Sequence, residues 1–156
     1  GPCASVETVA IKTEKSIIDN VRLLGPIRNY TQIEISKTDA YKLGLNPPVR
    51  ESGEITGSEK ITVVGPKGEL NLDEGCIIAT RHIHINPKQV EMYGLTGKEY
   101  VDVLVGGEKQ AILKDVSIKV SDPAYYEMHI DTDDANANLI KNGDVATILG
   151  IDDKNS

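Results

Sequence analysis

Apolar and polar residues alternate with a period of two along much of this chain, in short runs separated by turn-forming glycines and prolines. Val6 to Thr13 and Ile17 to Leu24 flank the polar triplet Glu14-Lys15-Ser16 and predict a hairpin. In Gln32-Ile33-Glu34-Ile35-Ser36 the two isoleucines share one strand face and Glu34 takes the other. Ile61 to Val64 and Glu69 to Leu72 flank Gly65-Pro66-Lys67-Gly68, a strong turn signal. Cys76 to Ile85 reads as one further strand region. Tyr100 to Val105 and Gln110 to Val120, on either side of Gly106-Gly107, predict another hairpin, and Glu127 to Ile130 and Val145 to Leu149 complete the set.

Three short helices interrupt this pattern, each after a strand. Ser36 is the expected N-cap of the first and Gly44 its stop. Asn86-Pro87 opens the second, which Gly94 ends, and Asp131-Thr132-Asp133-Asp134 opens a third that Asn142-Gly143 closes. Strand, capped short helix, glycine, strand is therefore a phrase used three times. Helices this short do not suit the crossovers of a doubly wound α/β sheet. They predict a mostly β fold: two small β-barrel domains capped by short α-helices, residues 1–79 and 80–156, divided near Ala79. Glu51 to Lys60, rich in glycine, serine and glutamate, is expected to be an exposed loop. Gly1-Pro2 reads as the remnant of a tag-removing protease, and ordered-looking sequence then begins almost at once. A domain that starts mid-strand, with no lead-in, is expected to be truncated at its N-terminus.

The 156 residues are 39% hydrophobic, enough for a core, and no run approaches the ~20 apolar residues of a membrane span. No signal peptide is evident, and two cysteines are too few for a disulfide framework, so a soluble cytoplasmic protein is expected. The net charge of -7 argues against nucleic acid or a membrane surface as partner. All four arginines precede residue 82, whereas Val120 onward carries eight acidic residues against Lys141 and Lys154. An anionic substrate would thus draw most of its cations from the first half.

The chain has three histidines. His82 and His84 stand at i and i+2 of a strand, so both imidazoles leave the same face about 7 Å apart. His129 lies at a strand end just before a capped helix. Three histidines with an open position suit a catalytic zinc or similar divalent ion. The same His-x-His pair also fits a solvated polar face, and nothing in the spacing joins His129 to it. Glu34 fits either a wet strand face or a metal ligand. Arg28, after the Gly25-Pro26 turn, either meets solvent or forks onto a phosphate or carboxylate. Arg81 points away from the histidine pair. Cys76, before Ile77-Ile78-Ala79, reads as a small buried hydrophobe, and Cys3 sits at the chain start. Phosphate-loop, dinucleotide and serine-elbow motifs are missing, and N-capping explains Asp131, Asp133 and Asp134 better than calcium does.

Taken together, Asn20-Val21-Arg22-Leu23-Leu24-Gly25-Pro26-Ile27-Arg28, Gln32-Ile33-Glu34-Ile35-Ser36, Arg81-His82-Ile83-His84 and Met128 through Ala137 resemble the PduL-type phosphotransacylases, the phosphate propanoyltransferases of bacterial microcompartments. The likeness runs from about Glu7 to Gly150. It implies a two-metal site, usually zinc, in which His82, His84 and His129 hold one ion, Glu34 ligates the other, and Arg28 contacts phosphate. The implied reaction interconverts acyl-CoA plus phosphate with acyl phosphate plus coenzyme A, on propanoyl-CoA or acetyl-CoA. It also implies residence in a microcompartment lumen, with shell or core enzymes as partners. Family members carry a further N-terminal segment with another His-x-His pair, which is not found here. The resemblance therefore implies a first β-barrel that is incomplete and a Glu34 site that is empty or incomplete, with activity of this chain alone impaired and exposed strand edges favouring a homo-oligomer. Two other readings stay open: a zinc-dependent hydrolase that activates water, and a noncatalytic shell-associated β-barrel module.

Overall fold

Two half-barrel sheets dominate the molecule, which is mostly β. The computed structural model describes residues 4–24, 30–121 and 126–149. These divide into two compact units, one ending at Ala79 and the other starting at Thr80. Among the described residues no helix is long and apolar enough to cross a membrane.

The first unit contains, in chain order, strands β1 (Ala4–Lys12), β2 (Ile17–Leu24) and β3 (Ile33–Glu34), helix α1 (Lys37–Leu43), and strands β4 (Val49–Arg50), β5 (Glu59–Gly65) and β6 (Gly68–Ala79). Its sheet runs β2-β1-β5-β6-β3, with β4 also alongside β6. The expected hairpins β1–β2 and β5–β6 are both antiparallel. Strands β3 and β4 lie parallel to β6. Ile11, Ile35, Ala40, Leu43, Ile61 and Cys76 form the core.

The second unit contains β7 (His82–Ile85), α2 (Pro87–Met92), β8 (Tyr100–Val105), β9 (Ala111–Val120), β10 (Glu127–His129), α3 (Thr132–Ala137) and β11 (Thr147–Ile148). Its sheet runs β10-β7-β9-β8-β11. Ile83, Ile85, Leu95, Val101, Val103 and Val116 centre its core. The single strand expected over Cys76 to Ile85 is in fact two, the end of β6 and all of β7, which hydrogen-bond in different sheets. A continuous β-branched run cannot show where the chain changes partners. Within the expected loop at Glu51 to Lys60, β5 already begins at Glu59.

Each helix starts on a side-chain cap. Ser36 Oγ accepts from the Asp39 amide at 3.1 Å, and Asp131 Oδ1 accepts from the Asp134 amide at 2.9 Å. Asn86 and Gln89 cap one another reciprocally. All three helices also end in one way. The amides of Leu45, Leu95 and Ile140 reach back five residues to Ala40, Val90 and Ala135 carbonyls at 2.8–2.9 Å, and each apolar side chain then enters or flanks a core. The residue before them adopts positive φ, as Gly44 (71°), Gly94 (68°) and Leu139 (53°). The third helix therefore stops at Ala137, earlier than the expected Asn142-Gly143. Leu139 takes the turn that glycine takes in the other two because the core claims Ile140, so the sequence carries no glycine there to read.

A bulge sets the phase of β9. Val101 faces Val116 while Val103 faces Leu113, so Lys114 and Asp115 together oppose Asp102. Asp115 takes φ 53°, and Asp102, only 8% exposed, accepts from its amide at 3.2 Å and pairs with Lys114. The Lys114 ammonium beside it, helped by that amide, holds the Asp102 carboxyl below the usual carboxylate range against the opposing effect of burial. A lowered folded-state pKa stabilises the fold above the unfolded carboxylate's pKa and loses that contribution as pH falls through the folded value. Asp102→Asn is thus expected to be less stable than the parent at neutral pH, with the difference shrinking below about pH 4. Urea unfolding across that range measures it, and a difference independent of pH would contradict the assignment.

Candidate metal centre

Strand β7 alternates strictly. Ile83 and Ile85 are 3% and 0% exposed in the core, so His82 and His84 stand together on the opposite face. Strand β10 pairs antiparallel with β7 and puts His129 directly across from His82 and Glu127 across from His84. Thus the register of a three-residue edge strand brings the distant histidine to the pair. The ring centroids lie 4.9–5.0 Å apart, with His82 and His129 stacked nearly parallel (4°) and His84 steeply inclined to both.

One nitrogen from each ring lies within 4.8 Å of the others. Zinc–imidazole bonds of ~2.0–2.1 Å place tetrahedral ligand nitrogens about 3.4 Å apart, which small side-chain rotations reach from here. The His82 Nδ1–H donates to the Thr80 carbonyl at 3.1 Å, which leaves Nε2 with the lone pair that a ligand needs. Glu127 Oε2 stands 3.5 Å from His129 Nε2. Three partly buried imidazoles with one orienting carbonyl suit zinc or a comparable divalent ion. Among the described residues this is the one cluster of three or more histidine, cysteine or acidic groups so placed.

The other candidates fall elsewhere. Glu34 is exposed on β3, at the end of the first unit's sheet and on the face opposite the core residue Ile35. Arg28 and Cys3 lie outside the described residues. Arg81 donates to the Lys114 carbonyl at 3.1 Å and pairs with Asp134 at 3.7 Å, tying β7 to α3. Burial, reinforced by the Glu59 charge, pushes the Cys76 thiol up to about 12, so it is no thiolate nucleophile at neutral pH. Burial also raises the Asp134 carboxyl, as do Asp131 and Asp133, while Arg81 opposes them.

Sequence reasoning missed Thr80, whose backbone carbonyl orients His82 and leaves no trace in residue type. It also missed Ser117 and Lys119, which lie beside His82 and His84 in the β7–β9 register. The available signal was the break in alternation between the buried Leu113 and Val116, three residues apart where an unbroken strand requires an even number.

Comparison with known proteins bears on what this cluster serves. A family model described as phosphate propanoyltransferase matches residues 1–141. A phosphate propanoyltransferase of Thermotoga maritima is 47% identical over 150 residues, covering 96% of this chain and 71% of that protein. Those of Lachnoclostridium phytofermentans and Priestia megaterium are each 50% identical, over 96% and 95% of this chain and 70% and 68% of theirs. The chain belongs to the phosphate propanoyltransferase family of acyltransferases.

Proposed function

We propose that this chain exchanges an acyl group between coenzyme A and inorganic phosphate, with His82, His84 and His129 holding a divalent metal, zinc by preference. The convergence of the three imidazoles within 4.8 Å, in a chain of this family, carries the reading. Bound there, zinc would supply Lewis-acid stabilisation of the negative charge that develops at a thioester carbonyl. The chain's own part is to hold the ligand set. Thr80 fixes the tautomer of His82, and the β10–β7 register holds His129 opposite it.

In the proposed chemistry a phosphate oxygen forms a bond to the acyl carbon, the carbon–sulfur bond breaks, and CoA departs as thiolate before taking up a proton. No acyl-enzyme is invoked, since Cys76 is fully buried with its thiol raised. Glu34 as ligand to a second metal, Arg28 as phosphate contact, acetyl-CoA as an alternative substrate, and residence in a bacterial microcompartment rest on the sequence resemblance and belong to the same proposal. A homo-oligomer and shell or core partners belong to it too.

The test is release of free thiol from propanoyl-CoA by the zinc-loaded chain, with and without phosphate, alongside hydroxylamine trapping of acyl phosphate. Thiol release that requires phosphate and matches trapped product is expected. Thiol release without phosphate would make the protein a hydrolase instead, and none under either condition would favour a noncatalytic module.

A further inference from the structure

The bulge in β9 has a consequence for the histidine face. Leu113 and Val116 both point into the core, so the bulge inverts the alternation between them. Downstream, Ile118 packs against the core, and the odd-numbered neighbours Ser117 and Lys119 turn to the face that carries the histidines. In the parallel β7–β9 register Ser117 sits opposite His82 and Lys119 opposite His84. Adjacent strands are about 4.8 Å apart and paired residues share a face, so Lys119 is the lateral neighbour of the trio on one side as His129 is on the other. Lys119 is only partly exposed. Without the bulge, Ser117 and Lys119 would face the core, where an ammonium is costly.

Arg81 precedes His82 by one residue and so leaves the opposite side of β7, where it joins Asp134, and Lys114 pairs with Asp102 at the bulge itself. We propose that Lys119 binds the phosphate co-substrate beside the metal centre, its ammonium serving as a point charge for a phosphate dianion held next to His84. This rests on the acyl-transfer reading and names the residue of the second unit that recognises the nucleophile.

The experiment compares Lys119→Met and Lys119→Arg with the parent, each as the full 156-residue zinc-loaded chain. Zinc content, which should stay at the parental value, verifies that the face is intact. Phosphate affinity is read directly by calorimetric titration, without acyl-CoA. The methionine variant should weaken phosphate about tenfold or more and raise KM for phosphate equally, leaving KM for propanoyl-CoA within about twofold, and arginine should restore most of the loss. Unchanged phosphate affinity, or a loss confined to CoA, would overturn the proposal, as would a zinc-loaded parent that binds no phosphate. Phosphate binding that depends on Lys119 in a parent that releases no CoA would instead retain this site and reject acyl transfer.

Discussion

Replacing His82 and His84 together by alanine is expected to abolish stoichiometric zinc binding and to lower phosphate-dependent CoA release by at least about 100-fold. Losing two of three ligands leaves His129 alone, and one imidazole does not compete with solvent for the ion. The fold should survive, because Ile83 and Ile85 carry the core contacts of β7 and the imidazoles contribute none. Far-ultraviolet circular dichroism and urea unfolding of the metal-free proteins should therefore nearly coincide. His129→Ala is the stricter test. It lies 45 residues after His84 and joins the cluster only through the β10–β7 pairing. Elemental analysis showing full zinc retention in His129→Ala would remove it from the ligand set and leave His82 and His84 as the histidines that hold the ion.

Gly75→Ala should be the most damaging small substitution in the first unit. Gly75 adopts φ 131°, a region L-residues avoid at about 1–3 kcal/mol, and an added Cβ would lie 2.7 Å from the Thr31 carbonyl oxygen. Backbone, not a flexible side chain, would have to move. The segment displaced is the approach to β3, whose Ile33 and Glu34 pair with Cys76 and Ile77 just beyond the glycine. The cost should exceed that of Gly57→Ala, where φ is 73° but no atom lies within 4 Å, because only the first adds a collision to the backbone penalty. Denaturant unfolding of the two variants makes the comparison, and equal costs would show that β3 accommodates the methyl group. If Glu34 serves as a metal ligand, Gly75→Ala should also weaken binding at that position without altering the zinc held by the histidine cluster.

Much of this molecule follows from local rules. The two long hairpins are legible because β-branched runs flank Glu14-Lys15-Ser16 and Gly65-Pro66-Lys67-Gly68, and turn chemistry acts within a few residues. The N-caps Ser36, Asn86 and Asp131 are legible for the same reason, since each oxygen satisfies an amide three positions on. Alternation likewise placed His82 and His84 on one face. The end of α3 was not legible, because the need to bury Ile140 overrode the absence of glycine at Leu139. Nor was the division of Cys76 to Ile85 between two sheets, since the residues there suit a strand in either.

The sequence by itself determined the strand-rich class, the helix caps, the shared face of His82 and His84, and, through the order of its motifs, the family. Tertiary structure alone decided that His129 completes a cluster, that Thr80 orients His82, and that Lys119 stands beside His84. The first set depends on contacts between residues near in sequence, where period and capping leave a residue-type signature. Within the second, the places of His129 and Lys119 depend on strand register, which joins residues 35 to 47 positions apart through backbone hydrogen bonds common to every residue type, and Thr80 acts through a backbone carbonyl that any residue would carry. A single-residue bulge can reverse which side chains share a face while leaving the composition of the strand unchanged.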